Sequence, residues 1–255
     1  MNFICTPNLP ERGVKLAVID SKAKNFSDAL ASLGVSLIFT TPCQNVDSKI
    51  STHPDMQLCH LGLNRFIAFE DVADYYQQLL VDFIDDIYCD FFNKQLEILK
   101  YPNKQGNLLY PEDCKLNSVV TSEWVISHIN NNIFDNMDLK AIKVRQGYAK
   151  CSTCVVSDYA IITADRSIEK NATTNGLDVC LVTNDTIMLD GYSNGFIGGC
   201  CGKISKYKIV FFGDINTHPD SKRIISFCEK YNVECISLGI GNLQDYGSLL
   251  PILED

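Results

Sequence analysis

Histidine is scarce in this chain: His53, His60, His128 and His218 are the only four in 255 residues. Tryptophan occurs once, at Trp124. Few side chains can therefore exchange a proton near neutral pH without a shifted pKa. Positive charge is also in short supply, with 22 Lys and Arg against 31 Asp and Glu, a formal charge of −9. That balance speaks against nucleic acid as a partner, because phosphate binding draws on clustered Lys and Arg. No apolar run approaches the ~18 residues of a membrane-spanning helix. The opening residues MNFICTPNLPERG lack the layout of a secretory signal. No low-complexity stretch or interdomain linker divides the chain, so a single domain over 1–255 is expected, cytoplasmic and without membrane contact. Disorder is excluded by 46% hydrophobic against 21% charged residues.

What the chain has in excess is cysteine, twelve in all. A long chain without a secretory signal is expected to keep its thiols reduced. Most lie inside apolar runs such as Val179-Cys180-Leu181, where cysteine behaves as a small hydrophobe. Cys151-Ser-Thr-Cys154 is a C-x-x-C, but it runs into the strand-like Val155-Val156 rather than opening a helix. Cys200-Cys201 are adjacent and do not form the second spaced pair of a structural zinc site. Buried strand thiols are the better reading, and no metal is expected.

A repeat organises the chain. Four segments share a mixed strand, a short polar turn and an apolar strand: Asp55–Phe69, Asp113–Ser127, Cys151–Thr163 and Phe196–Phe212. A weaker fifth copy is read in Gly241–Ile252. Asp55 precedes Phe66 by the same interval as Asp113 precedes Trp124, which places the two acids at equivalent positions. Single buried strands are expected at Val14–Ile19, Val35–Thr40, Leu139–Val144, Leu177–Val182 and Val233–Leu238. Helices are expected at Ser27–Leu33, closed by Gly34, at Tyr75–Ile98, and at Ser221–Tyr231 with Thr217 as N-cap. Connections are placed at 44–50, 101–110, 130–138 and 169–176. The sum is one α/β domain of about five ββα-type units in a ring.

Five such units resemble the pentein fold, the β/α-propeller of guanidino-group-modifying enzymes. His53-Pro54-Asp55 is similar to the H-x-D strand of arginine deiminases and amidinotransferases. The resemblance implies that His53 acts as general acid/base and that Asp55 holds the guanidinium. Gly239-Ile-Gly241-Asn242-Leu243-Gln244-Asp245 is similar to the glycine-rich segment that carries the catalytic thiol there. Gly195-Phe-Ile-Gly-Gly199 resembles a bacterial branch of the same fold.

Asp245 stands where that thiol would fall. A carboxylate can hold a cation but is a poor attacker of a guanidinium carbon. The leading expectation is an acidic axial pocket binding a small cation such as a guanidinium, with Asp55, Asp113, Asp245 and Gly199 lining it. A displaced nucleophile among Cys59, Cys151, Cys200 and Cys201 is the first alternative. A non-enzymatic interaction protein is the second, because the fold also occurs in a ribosome anti-association factor. His60 and His128 are read as structural strand residues, and His218 as part of a helix cap. Gly198-Gly199 and Gly202 lack the strand–helix context of a dinucleotide loop, so no cofactor is expected. Close backbone approach near the axis explains them better.

Overall fold

The computed structural model describes residues 1–85, 96–102 and 110–255. Among them five small sheets recur on one plan: an antiparallel hairpin whose second strand pairs in parallel with a third. The first blade is Leu58–Gly62, Arg65–Phe69 and Glu97–Tyr101. The second is Val119–Val120, Trp124–His128 and Lys140–Val144. Thr153–Ser157, Ala160–Thr163 and Asp178–Leu181 make the third, and Cys201–Ser205, Lys208–Phe211 and Glu234–Ser237 the fourth. Leu58–Gly62 packs on Val119–Val120, and Cys201–Ser205 packs on both Thr153–Ser157 and Leu250–Glu254, so first strands of neighbouring blades meet at the centre of a β/α-propeller.

The fifth blade differs from the expected copy in 241–252. Its hairpin is split between the chain ends: Leu250–Glu254 pairs antiparallel with Val14–Ile19, which pairs in parallel with Ser36–Phe39. Asn2–Phe3 adds an outer strand to Leu250–Glu254. A hairpin within 241–252 would need both strands beside one local turn, and the chain supplies them from its two ends instead. Here the Asp255 N–H donates to the Gly13 carbonyl where the other blades have a turn.

Those turns follow from their side chains. Thr121 Oγ1, Ser157 Oγ and Ser205 Oγ accept the N–H groups of Trp124, Tyr159 and Tyr207, local bonds that bend the chain. Gly62 supplies a φ of 101° at the corresponding place in the first blade.

Helices cross four of the five blades. Glu70–Asp85 turns Val72, Ala73, Tyr76, Leu80 and Ile84 inward, a stripe at helical spacing. Burying Val72, Leu80 and Ile84 contributes about 1.5–3 kcal/mol each. The helix expected over 75–98 therefore begins earlier. Glu97–Tyr101 is a strand, since parallel pairing with Arg65–Phe69 overrides local periodicity. Residues 86–95, with Cys89, lie outside the described residues, as does 103–109 of the connection placed at 101–110. Ser221–Lys230 is capped by position 220 rather than by Thr217, because Ile215–Thr217 forms its own 3-10 turn. His218 Nδ1 accepts the Asp220 N–H there, the structural role expected of it. In the second blade no helix fills the crossover; 129–139 runs as turns. No helix is long and apolar enough to cross a membrane among the described residues.

Candidate active site

The turn that opens each second strand sets the register of the repeat. Its first residues are Gly62, Thr121, Ser157 and Ser205, with Glu254 in the split blade. Counting back the same interval from each puts Asp55, Cys114, Lys150, Gly198 and Gly247 at one level. Two residues earlier lie His53, Glu112, Tyr148, Phe196 and Asp245. Matching bonds support the alignment: the N–H groups of Asn117, Thr153 and Cys201 donate to the carbonyls of Cys114, Lys150 and Gly198. Asp113 is thus level with Pro54, not with Asp55. Equal intervals to the aromatic residues shift the register by one, because Phe66 is the second residue of its strand and Trp124 the first of its own.

Asp55 does not open a strand. It lies in the short helix Pro54–Gln57, started by the proline at its first position. Its side chain is buried at the axis, where Cys151 Sγ donates to Oδ1 at 3.1 Å and Oδ2 at 3.0 Å. Ser248 Oγ lies 2.8 Å from Asp55 Oδ2, and Lys150 Nζ donates to Ser248 Oγ at 2.9 Å. Lys150 thereby balances the carboxylate charge through one hydroxyl. Asn117 braces the group: its Oδ1 accepts the N–H groups of Lys150 and Cys151, and its Nδ2 donates to Cys151 Sγ.

His53 is 3% exposed and stands between two acids. Nε2 is 3.8 Å from Asp20 Oδ2, and Nδ1 is 3.8 Å from Asp245 Oδ1. Burial, with the nearby Lys22 charge, lowers its pKa to about 3, so the ring is neutral. Burial and the charge of Asp55 push the Asp245 carboxyl up to about 7. Burial likewise raises Asp20 and Asp55 above the usual carboxylate range. Asp245 keeps part of its acidity through the N–H groups of Phe196 and Gly247, one on each oxygen. The Cys151 thiol is held well above its ordinary pKa by burial and by Asp55 and Asp245. Burial is thus the main cause of all three upward carboxyl shifts, and the Lys22 and Lys150 charges oppose them.

A cavity of about 210 Å³ opens onto this group, lined by His53, Tyr148, Cys151, Tyr192, Phe196 and Asp245 among others. Of the four thiols considered from sequence, Cys151 alone meets it. Cys59 faces a separate small space of about 20 Å³ with Asp55 and Lys150, and burial pushes its thiol up to about 12. Cys200 and Cys201 donate to the Ile197 and Gly198 carbonyls and are buried. Cys154, the partner of Cys151 in the C-x-x-C, turns into the core beside Cys201. Every described cysteine is free.

Asp113 is set back from the cavity. Its Oδ2 accepts the Tyr148 hydroxyl at 3.0 Å, and Tyr148 is the residue that reaches the cavity. Gly199 serves spacing: an added Cβ would fall 1.9 Å from Asp245 Oδ1, so only glycine lets that carboxylate seat there. Gly198 and Gly202 are equally crowded by backbone. His60 stacks on Phe66, and its Nε2 pairs with the Leu63 carbonyl, while His128 Nδ1 accepts the Asn130 N–H. Sequence reading passed over Asp20, Tyr148, Lys150 and Ser248. Correct repeat registration would have raised Lys150 and Tyr148, at the levels of Asp55 and His53. Nothing local marks Asp20. His53, Asp55 and Cys151 each offer a donor atom within 4.8 Å of the others, so they could also hold a metal ion.

The chain belongs to a family described as "Family of unknown function (DUF6873)", whose model matches residues 18–250. No curated protein matches it. The fold is shared with solved guanidino-modifying enzymes. StrB1, an inosamine-phosphate amidinotransferase from Streptomyces griseus, superposes with a TM-score of 0.61 at 8% identity, covering 96% of this chain and 95% of that one. SxtG, a saxitoxin-pathway amidinotransferase from Microseira wollei, gives 0.58 at 10% identity, covering 90% and 91%. The agmatine deiminase of C. jejuni gives 0.52 at 9%, covering 92% and 90%. The pentein fold expected from the repeats is the fold of this chain.

Proposed function

We propose that the axial cavity binds a small guanidinium-bearing molecule and that Cys151 attacks its central carbon. The observation that carries this reading is the contact of Cys151 Sγ with both oxygens of Asp55 on the wall of a cavity that also presents His53 and Asp245. Asp245 takes the place of the thiol in the glycine-rich segment, and its two carboxylate oxygens suit the N–H edge of a planar cation. Tyr148 and Phe196, with ring centroids 6.3 Å apart, offer aromatic surface beside it.

Charge explains the order of events. A bound cation favours ionised Asp245 and Asp55 and lowers the cost of a Cys151 thiolate. The thiol proton passes to Asp55, whose raised pKa lets it hold a proton. The S–C bond forms, the C–N bond breaks, and Asp55 returns the proton to the departing nitrogen. Neutral His53 then accepts a proton from the water, or acceptor amine, that displaces the sulfur.

A thermal-shift series with arginine, agmatine and neutral citrulline tests the binding half. The guanidinium compounds should raise Tm and citrulline should not, since a ligand selective for the folded state stabilises it by mass action. Absence of any shift with either cation overturns the reading.

A further inference from the structure

Thiols outside the axial site divide by access. Among the described cysteines only Cys5 and Cys235 reach solvent, Cys5 exposed and Cys235 half-buried. Of these two, Cys235 has a second thiol for a neighbour: a hydrogen bond joins it to Cys228. Cys154 and Cys201 make the same kind of contact but are sealed in the core, 0% and 2% exposed. Among the described residues, thiol contact and access coincide at Cys228 and Cys235.

The fold places this pair by local rules. Ile224 and Cys228 sit one turn apart on the helix Ser221–Lys230 and are buried on the same face. The Cys228 carbonyl then accepts the N–H groups of Tyr231 and Val233 at 2.9 Å each, and Asn232 takes a φ of 58°. That tight reversal returns the chain as the strand Glu234–Ser237, where Cys235 stands opposite Ile209. The strand is an edge of the fourth blade, so solvent reaches Cys235 while its side chain packs against the same core cluster as Cys228.

Electrostatics divide the roles. The Cys228 hydrogen bond lowers Cys235 below the ordinary thiol pKa, against burial and the Glu229 and Glu234 charges. The same bond, with burial, raises Cys228. The thiolate is the attacking species, so Cys235 reacts first and Cys228 resolves.

We propose that Cys228 and Cys235 are a reversible redox site, converted to an intramolecular disulfide by a low-molecular-weight disulfide. Cys235 loses its proton to water and attacks one sulfur of the reagent, whose S–S bond breaks as one thiolate leaves. Cys228 gives its proton to that thiolate and attacks the Cys235 sulfur. The second thiolate departs and takes a proton back from water. Two protein thiols are oxidised by two electrons, and one reagent disulfide is reduced to two thiols. Neither cysteine lines the axial cavity, so this site is separate from Cys151 and does not rest on the guanidinium reading.

Native protein incubated with glutathione disulfide, acid-quenched and peptide-mapped, reads the chemistry directly. In wild type a Cys228–Cys235 cross-link should form with no glutathione retained on Cys235, and excess dithiothreitol should reverse it. Exposed Cys5 should keep its glutathione as a mixed disulfide. Cys228→Ser should trap glutathione on Cys235, and Cys235→Ser should slow modification of Cys228 by at least about tenfold. Absence of the cross-link in wild type, or stable glutathione on Cys235, overturns the proposal. A Cys154–Cys201 link formed as fast, or a Cys228–Cys235 link that appears only in urea, also overturns it. Where a serine variant fails to melt cooperatively, phenylarsine oxide on the wild type decides. Arsenic bridging Cys228 and Cys235 and released by a dithiol supports the pair; arsenic elsewhere, or none bound, overturns it.

Discussion

Cys151 Sγ and the Asp55 carboxylate, 96 residues apart in sequence, meet at 3.0 and 3.1 Å on the propeller axis. The pair exists because His53-Pro54-Asp55 leads into the first blade and Cys151 into the third, and hairpin openings converge at the centre. The thiol donates to a group whose charge also resists its ionisation.

That pairing predicts thiol reactivity. In ligand-free protein at neutral pH, Cys151 should alkylate much more slowly than exposed Cys5. Asp55→Asn removes a charge that raises the thiol pKa and should speed labelling of Cys151. Peptide mapping over a time course with iodoacetamide reads both rates. Unchanged or slower labelling in Asp55→Asn would contradict the electrostatic account.

Asp245 predicts a pH dependence of stability. Its folded pKa of about 7 lies above the ordinary carboxylate value of 3.8. A group raised on folding contributes stability in full below its unfolded pKa, and that contribution is lost as pH rises through the folded value. The ligand-free protein should lose stability on this account between pH ~4 and ~7, on the order of a few kcal/mol. Asp245→Asn should flatten that loss, so its advantage over wild type grows from pH 5 to pH 8 in urea melts. Cation affinity should move the other way in wild type, strengthening as pH passes 7.

Gly198 predicts a packing cost. A Cβ there would fall 2.4 Å from the carbonyl oxygens of Lys150 and Thr153, and neither backbone can move without shifting the Cys151 loop. Gly198→Ala should destabilise by about 2–4 kcal/mol. Gly34→Ala is the control: it meets nothing within 4 Å but has a φ of +81°, so its cost should be nearer ~1 kcal/mol. Denaturant midpoints at constant m-value compare them.

Four of the five units are legible because their hairpins are announced by short turns between β-rich runs. The parallel strands Ser36–Phe39, Lys140–Val144, Asp178–Leu181 and Glu234–Ser237 read as apolar segments, but they lie at sheet edges and are only partly buried, not the buried strands expected. His53, Asp55 and Asp245 were legible through motifs that fix backbone as well as chemistry. Other features depend on register or on distance in sequence. Asp113 was misplaced by one position because its spacing was measured to an aromatic residue rather than to the turn. Choosing Cys151 from four thiols required knowing which of them faces the axis, since Cys200 and Cys201 carry the same apolar context. The split fifth blade joins residues 14–19 to 250–254, a pairing no local pattern encodes.

The central claim is that Cys151 forms a covalent bond to the guanidinium carbon of a bound ligand. Intact-mass analysis of acid-quenched mixtures with guanidino acids and alkylguanidines, followed by peptide mapping, tests it most directly. A thiouronium adduct is expected on the peptide carrying Cys151, lost in Cys151→Ser and retained in Cys59→Ser. An adduct on another cysteine, or product release undiminished in Cys151→Ser, would contradict it.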